Sequence, residues 1–423
     1  MNGVILIKKQ MMFDTIFIII AASIAKILSF LIRILFARTL SMEAMHYYTL
    51  ISPTLMLALT LSQLSFPLAL SKMIAKYDDH PTILRVNRHL LYLFNGCIMI
   101  LLLLCAPFIS RLLKTDLTIL IYTILPILPL TSISASLKGR LSGLQKHKCS
   151  AFSQIPEEIV RIVFLIIAYP YLKQMNDIHA ACAAMWSISI SELGSIIYLL
   201  FNLPKQNKTR LQLSTKQIYQ EFLQIAIPAS LSRFIGSLTY FIEPLLLSLL
   251  SLQNYLNDYT LIYGYLIPLI TMPSFLAISL SNYLLPSFVY YQEHQQHQKA
   301  SKLCFIIICS CAMIGISSSL FCYYYGEPLL MFLYQNHHGI DLLKALAIPF
   351  SIYSLQPALA ALMHGLNLSK QSFYDTLYGC LFRIIIYFFA SFCSSHILIL
   401  SLVGSMLLTT ILHAIRIAYA LRR

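Results

Sequence analysis

Apolar runs long enough to cross a bilayer recur from one end of this chain to the other, and that recurrence leaves few folds open. A span needs roughly 20 mostly apolar residues. Such runs fall at 12–36, 46–70, 89–109, 116–137, 151–172, 178–202, 221–250, 258–285, 303–324, 345–366, 373–392 and 396–415. Lipid offers no hydrogen bonds, so only helices or closed barrels satisfy the backbone there. The period-two alternation of barrel strands is absent. Charged residues make up 11% of the 423 residues and hydrophobic ones 58%, too little charge to cover a soluble protein of this length. The expected fold is all-α and integral to the membrane, with about twelve transmembrane helices.

The net charge of +14 invites a nucleic-acid reading, but its distribution points to topology. Lys and Arg crowd every second loop, as at Lys72, Lys76, Arg85, Arg88, Lys138, Arg140, Lys146, Lys148, Lys205, Lys208, Arg210 and Lys216. The alternate loops hold only Arg38, Arg111, Lys114, Lys173 and Lys344. The positive-inside rule then puts both termini in the cytoplasm, which requires an even number of spans. Lys8 and Lys9 precede the first run as they would in a signal peptide, but that run is too long and carries Lys26 and Arg33. The ten cysteines are scattered and form no CxxC pair, which suits small buried apolar residues. His294, His297, His337 and His338 match no zinc spacing, and no metal or cofactor is expected. Walker, HExxH and GxSxG motifs are missing, which argues against an ATP-driven pump.

The chain repeats itself. Ala22-Ser23-Ile24-Ala25-Lys26 matches Ala229-Ser230-Leu231-Ser232-Arg233, a register that also sets Asp14 over Glu221. Pro53 matches Pro268. Gly143-Leu144-Gln145 followed by Arg161-Ile162-Val163 matches Gly365-Leu366-Asn367 followed by Arg383-Ile384-Ile385. Six spans separate the copies, so both have the same orientation, as in a parallel repeat. Two pseudo-symmetric six-helix lobes are expected, at 1–204 and 221–423, joined by a basic cytoplasmic linker at 205–220. Bundles that rock against each other suit transport. Pro53, Pro67, Pro228, Pro244, Pro268, Pro273, Pro349 and Pro357 are placed to bend spans. Gly139-x-x-x-Gly143 suits close helix packing.

Five cations lie inside spans: Lys26, Arg33, Arg161, Arg233 and Arg383. Each costs roughly 2.5–3.5 kcal/mol at the bilayer centre unless it snorkels, pairs or meets water. Lys26 and Arg33 are seven residues apart on one helix face. Arg233 holds the place of Lys26 in the second half. Together these three suit an anionic group such as a pyrophosphate, the alternative being structural pairing. Arg383 joins them as a candidate, with its role open. Glu157 and Glu158 stand four and three residues before Arg161, the spacing of helical ion pairs, so that trio reads as structural. Glu192 and Glu243 are isolated acids at membrane depth. They are candidates either for coupling transport to an ion or for pairing with one of the cations.

Three stretches resemble a known family. They are Phe66-Pro67-Leu68-Ala69-Leu70-Ser71-Lys72; Leu137-Lys138-Gly139-Arg140-Leu141-Ser142-Gly143-Leu144-Gln145 with Ser153-Gln154-Ile155-Pro156-Glu157-Glu158-Ile159-Val160-Arg161; and Ile227-Pro228-Ala229-Ser230-Leu231-Ser232-Arg233. The chain resembles polysaccharide transporters of the stage V sporulation protein B type, in the multidrug/oligosaccharidyl-lipid/polysaccharide exporter superfamily. That resemblance implies a MATE-like pair of lobes with a central cationic cavity. It implies flipping of an undecaprenyl-pyrophosphate-linked oligosaccharide, an anionic lipid-linked glycan, across the plasma membrane of a bacterium. Lys26, Arg33 and Arg233 sit at the places of the cavity arginines of lipid II flippases. Lys26 replaces an arginine, keeping the charge but losing the bidentate fork. Those flippases carry two further helices after the twelfth, so lipid II itself stays open as the substrate. Two rivals remain. A multidrug cation antiporter would want acids where span 1 has Lys26. A non-transporting scaffold for envelope assembly is the other.

Overall fold

The computed structural model describes residues 2–172, 174–204, 214–250, 254–389 and 397–422, with side chains described from Phe17 onward except at Asn254, Pro286 and Arg422. Of the linker expected at 205–220, residues 205–213 lie outside the described residues, as do Lys173 and Arg423. So do the side chains of Lys8, Lys9 and Asp14. The chain divides into two compact units, Met1–Phe241 and Ile242–Arg423.

The first unit holds α1 (Asn2–Thr39), α2 (Met42–Gln63), α3 (Phe66–Tyr77), α4 (Pro81–Leu112), α5 (Thr118–Tyr122), α6 (Ile124–Gly143), α7 (His147–Phe152), α8 (Gln154–Leu172), α9 (Asp177–Phe201) and most of α10 (Thr215–Leu249). The second holds the end of α10 and then α11 (Asn254–Thr260), a π-helical turn Leu261–Leu266, α12 (Ile267–Thr271), α13 (Ser274–Glu293), α14 (His297–Tyr334), α15 (Ile340–Phe350), a 3-10 turn Ser351–Leu355, α16 (Gln356–Gly365), α17 (Ser369–Phe388) and α18 (Ile397–Arg422). Among the described residues nine helical stretches are long and apolar enough to cross a membrane, or ten if the bent pair Tyr255–Thr271 and Ser274–Glu293 is one span. The expectation of about twelve also counted α8 and α17. Each of these carries three charged residues, Glu157, Glu158 and Arg161 or Lys370, Asp375 and Arg383. Large apolar side chains such as Leu104, Phe201 and Phe332 are exposed, the arrangement a helix adopts when lipid is its solvent.

Several of the prolines fall where helices break. Pro67 opens α3 just after Leu64 and Ser65, which hold left-handed φ of 37° and 54°. Pro268 follows the π-helical turn, and Pro273 sits at the 58° bend into α13. Pro349 precedes the 3-10 turn and Pro357 follows it. A missing N–H and a clash with the preceding turn explain each break. Pro53, by contrast, is buried within a continuous α2.

In the first unit, α3, α4 and α10 bury Phe66, Leu70, Met73, Val86, Leu90 and Phe222 against one another. Phe66 meets Phe94 and Phe222 with ring centroids 5.3 and 5.8 Å away. Polar ties rim this core. Lys76 Nζ and Tyr77 Oη both donate to Glu221, at 2.6 and 2.9 Å. Arg140, on α6, donates through Nε and Nη2 to buried Asp79 at 2.6–3.1 Å. The α3–α6 contact is closer than ordinary side chains permit. A Cβ on Gly139 would stand 2.5 Å from the Pro67 carbonyl oxygen, and one on Gly143 would stand 2.8 Å from that of Ser71. The small-residue pair noted in the sequence is therefore a packing surface. In the second unit, α13, α14 and α16 bury Leu284, Phe288, Ile307, Cys311, Leu359 and Met363 together.

The two matching Gly-Leu-Gln/Asn segments adopt the same turn. Leu144 and Lys146 N–H donate to the carbonyls of Arg140 and Leu141, and Leu366 and Leu368 N–H donate to those of Leu362 and Met363. Gln145 and Asn367 both have φ 59°. The same left-handed cap also closes α13 at Gln295, so the turn is a shared device for ending helices.

Gly139→Val is expected to lose about 1–3 kcal/mol through overpacking against Pro67. That loss would be read as a lower melting temperature in detergent. Gly96→Ala, whose Cβ would meet nothing within 4 Å, should leave the melting temperature unchanged.

Candidate substrate-binding site

Helix α1 carries Lys26, Ser29 and Arg33 at spacings of three and four, along one face. Lys26 is exposed and makes no ion pair among the described residues; Glu158 of α8 feels its charge and the hydroxyl of Ser29. Arg33 stands over the Tyr48 ring of α2, 5.8 Å from its centroid. Tyr48 in turn lies 5.2 Å from Phe36, and Arg161 of α8 stands over Phe36 at 5.5 Å. Two guanidinium groups thus flank a pair of buried aromatic rings, each attracted to a π face.

Arg161 differs from the local expectation. It donates through Nε to Ser187 Oγ of α9 at 3.1 Å and closes no ion pair within 4.0 Å with Glu157 or Glu158 among the described residues. Glu157 is taken instead by Lys138 of α6, at 3.1 Å. Tertiary neighbours have displaced the helical i,i+4 contact, because packed helices in a bundle offer closer partners than their own surface does. Glu192 of α9 is buried beside Ser134, Lys138, Glu157 and Arg161. Among the described residues one oxygen each of Glu158 and Glu192 has no hydrogen-bond partner. Three carboxylates and the cations Lys26, Lys138 and Arg161 therefore share the space among α1, α6, α8 and α9.

Arg233, on α10, is exposed and donates through Nη2 to Ser65 Oγ at 2.5 Å. Its partner is the left-handed residue that separates α2 from α3. A hydroxyl leaves the charge uncompensated, so among the described residues neither Lys26 nor Arg233 is neutralised by a carboxylate within ion-pair distance.

The second unit treats its charges differently. Arg383, a candidate substrate-holding cation whose role the sequence leaves open, and Glu243, a candidate either for ion coupling or for pairing with a span cation, are bonded to each other. Nε and Nη2 of Arg383 donate to the two oxygens of Glu243 at 3.2 and 2.5 Å. Tyr263 donates to Glu243 at 2.9 Å and Tyr387 also donates to it, while Arg383 donates to the Tyr263 hydroxyl. Glu243 is 1% exposed. Eight residues before Arg383 on α17, buried Asp375 accepts twice from Arg416 Nε at 2.7 and 2.9 Å, with His413 Nε2 at 3.9 Å. Sequence reasoning missed the Arg416–Asp375, Arg140–Asp79 and Lys76–Glu221 pairs. Each joins residues 41 to 145 apart, and no local spacing announces them. Among the described residues no three His, Cys, Asp or Glu side chains stand together in a way that holds a metal ion.

The bundle is similar to transporters of the MOP superfamily. A solved structure described as the inward-facing conformation of a multidrug resistance MATE family transporter matches with a TM-score of 0.72 at 14% identity, over 94% of this chain and 95% of that one. At that identity the likeness shows the fold. The chain belongs to the polysaccharide biosynthesis protein family, whose model matches residues 12–292. Stage V sporulation protein B of Bacillus subtilis (strain 168) is 28% identical over 438 residues, covering 98% of this chain and 85% of the relative. The uncharacterized membrane protein YabM of the same organism is 26% identical over 401 residues, covering 86% and 72%. This is thus a multi-pass membrane protein of the bacterial plasma membrane, in the polysaccharide biosynthesis protein family and with a MATE-like fold.

Arg383→Ala would strand Glu243 as a buried, uncompensated charge, and a loss of about 3–5 kcal/mol of stability is expected. Replacing both partners by apolar residues, as Arg383→Met with Glu243→Leu, should recover most of it. Thermal unfolding of the purified variants in detergent measures both.

Proposed function

We propose that this protein flips an undecaprenyl-pyrophosphate-linked oligosaccharide from the inner to the outer leaflet by alternating access, and that Lys26, Arg33 and Arg233 hold the pyrophosphate. The observation that carries this reading is a division among the five cations of the spans. Arg383 is neutralised by Glu243, and Arg161 lies among three carboxylates. Among the described residues Lys26, Arg33 and Arg233 close no ion pair: Arg33 meets the Tyr48 ring, Arg233 the Ser65 hydroxyl, and Lys26 borders the carboxylate cluster through Glu158 without pairing with it. A cation kept in a membrane helix without a counterion is costly, and an anionic cargo supplies the missing charge. Family membership and the likeness to stage V sporulation protein B support a glycan cargo. A charged, wet path lowers the barrier for a headgroup that would otherwise cross a low-dielectric layer. No covalent step is needed. The excess of Lys and Arg in every second loop supports cytoplasmic termini for this reading.

Arg383 and Glu243 saturate one another, so we assign them to holding the second unit together rather than to substrate or ion. Glu192 keeps the coupling role, because it is buried and retains one oxygen without a partner.

Reconstitution in proteoliposomes with a panel of lipid-linked glycans, scored by appearance in the outer leaflet, tests the reading. Lys26→Ala, Arg33→Ala and Arg233→Ala should each slow flipping roughly tenfold or more at normal abundance, the loss of one charge-assisted hydrogen bond. Lys26→Arg should retain activity. Movement of no glycan together with efflux of an organic cation makes the protein a multidrug exporter instead. In the same vesicles, Glu192→Gln should remove the dependence of flipping on an imposed pH gradient, whereas Glu243→Gln should lower stability first.

A further inference from the structure

A second polar site lies on the first unit, away from the residues assigned above. Between α4 and α6 there is a cavity of about 540 Å³. Arg85 and Arg88 line it from α4. They stand three residues apart, on one edge of the helix. Both are exposed, and among the described residues neither has an ion pair or hydrogen-bond partner. Arg140 also borders the cavity, but Asp79 holds it bidentately, so its charge is compensated. Two positive charges remain at the cavity without a counterion.

The inner wall is polar. Asn87 Nδ2 donates to Ser136 Oγ at 2.5 Å. Asn95 Nδ2 donates to Ser132 Oγ at 3.1 Å and to the Leu91 carbonyl oxygen at 2.8 Å. Ser132 returns a bond to Asn95 Oδ1 at 3.2 Å. One acceptor is left over: Asn87 is 3% exposed, and among the described residues its Oδ1 has no hydrogen-bond partner. A buried carbonyl of this kind costs free energy until a donor reaches it. Leu84, Leu91 and Ile133 complete an apolar flank.

We propose that this cavity binds a bilayer phospholipid whose headgroup carries a hydrogen-bond donor. The phosphodiester lies against Arg85 and Arg88, whose planar forks match phosphate oxygens. A headgroup ammonium or hydroxyl donates to Asn87 Oδ1, and an acyl chain follows the apolar flank. The required donor makes the site selective. Phosphatidylethanolamine and phosphatidylglycerol have N–H or O–H groups, and phosphatidylcholine has neither. The loop charges set this end of α4 at the cytoplasmic leaflet, so the ligand comes from the inner monolayer. The site takes a resident lipid and is independent of the pyrophosphate cargo.

The test is native mass spectrometry of the full-length protein released from detergent micelles. Phosphatidylglycerol, phosphatidylethanolamine and phosphatidylcholine of matched acyl chains are added in equal amounts. The expected result is one retained lipid, with the two donor-bearing lipids favoured roughly tenfold over phosphatidylcholine, the size of one hydrogen bond to a buried acceptor. Arg85→Gln with Arg88→Gln should abolish retention without changing the melting temperature of the lipid-free protein, since neither side chain has a partner to lose. Asn87→Ser, a smaller change in the wall, should keep retention and remove the preference. Equal retention of phosphatidylcholine overturns the proposal, as does retention that survives the double arginine variant. Equal stabilisation by soluble glycerol 3-phosphate would make the ligand a free phosphate ester and would also overturn it. A flipping defect in Lys26→Ala with lipid retention intact separates this site from the cargo site.

Discussion

A charge inside a bilayer must find a counter-charge, a strong hydrogen bond or water, and that requirement organises this protein more than any single packing contact does. The second unit meets it internally. Glu243 collects Arg383, Tyr263 and Tyr387, and Asp375 collects Arg416. The first unit meets it only in part. Glu157 is matched by Lys138 and Asp79 by Arg140, while among the described residues Lys26, Arg33 and Arg233 are not matched by any carboxylate within ion-pair distance. The difference between the units lies in how completely their charge is balanced, and the proposed cargo site follows from it.

Packing supplies the rigidity against which such charges are held. Gly139 and Gly143 bring α6 onto the backbone of α3, and Gly194 lets α9 approach the carbonyl oxygen of Pro156 on α8. The stretches that carry the family resemblance are thus largely the stretches that touch. Phe66 to Lys72 meets Leu137 to Gln145, and the Pro156 to Arg161 segment meets α9. Dispersion and close backbone approach replace the hydrophobic drive that lipid removes. The polar side chains of Lys138, Ser187 and Glu192 are fixed on that framework.

Much of the fold was legible because hydropathy and helix length are local quantities. The apolar runs, the proline breaks at Pro67, Pro268, Pro273, Pro349 and Pro357, and the matching caps at Gln145 and Asn367 all follow from residues close in sequence. The candidate site was legible only as a list of charged residues at membrane depth. Which acid meets which cation depends on tertiary packing, and the local rule misled at Arg161, where Ser187 and Lys138 intervene. Arg383 and Glu243 were each singled out, yet 140 residues separate them, and their mutual neutralisation shows only once α10 and α17 are placed. The αL break at Leu64 and Ser65 carried no glycine to announce it.

Arg140 shows how one charge can serve at two stages in the life of a membrane protein. In the finished fold it is 9% exposed and locked to Asp79, so it adds almost nothing to the electric field near the bilayer surface. In the topology proposed from the loop charges, the same guanidinium, unfolded and hydrated during synthesis, is an address label that keeps its loop on the side of manufacture. Orientation is therefore written by charges that the mature molecule later hides. The surface potential of the folded protein is a poor record of the signals by which it was threaded.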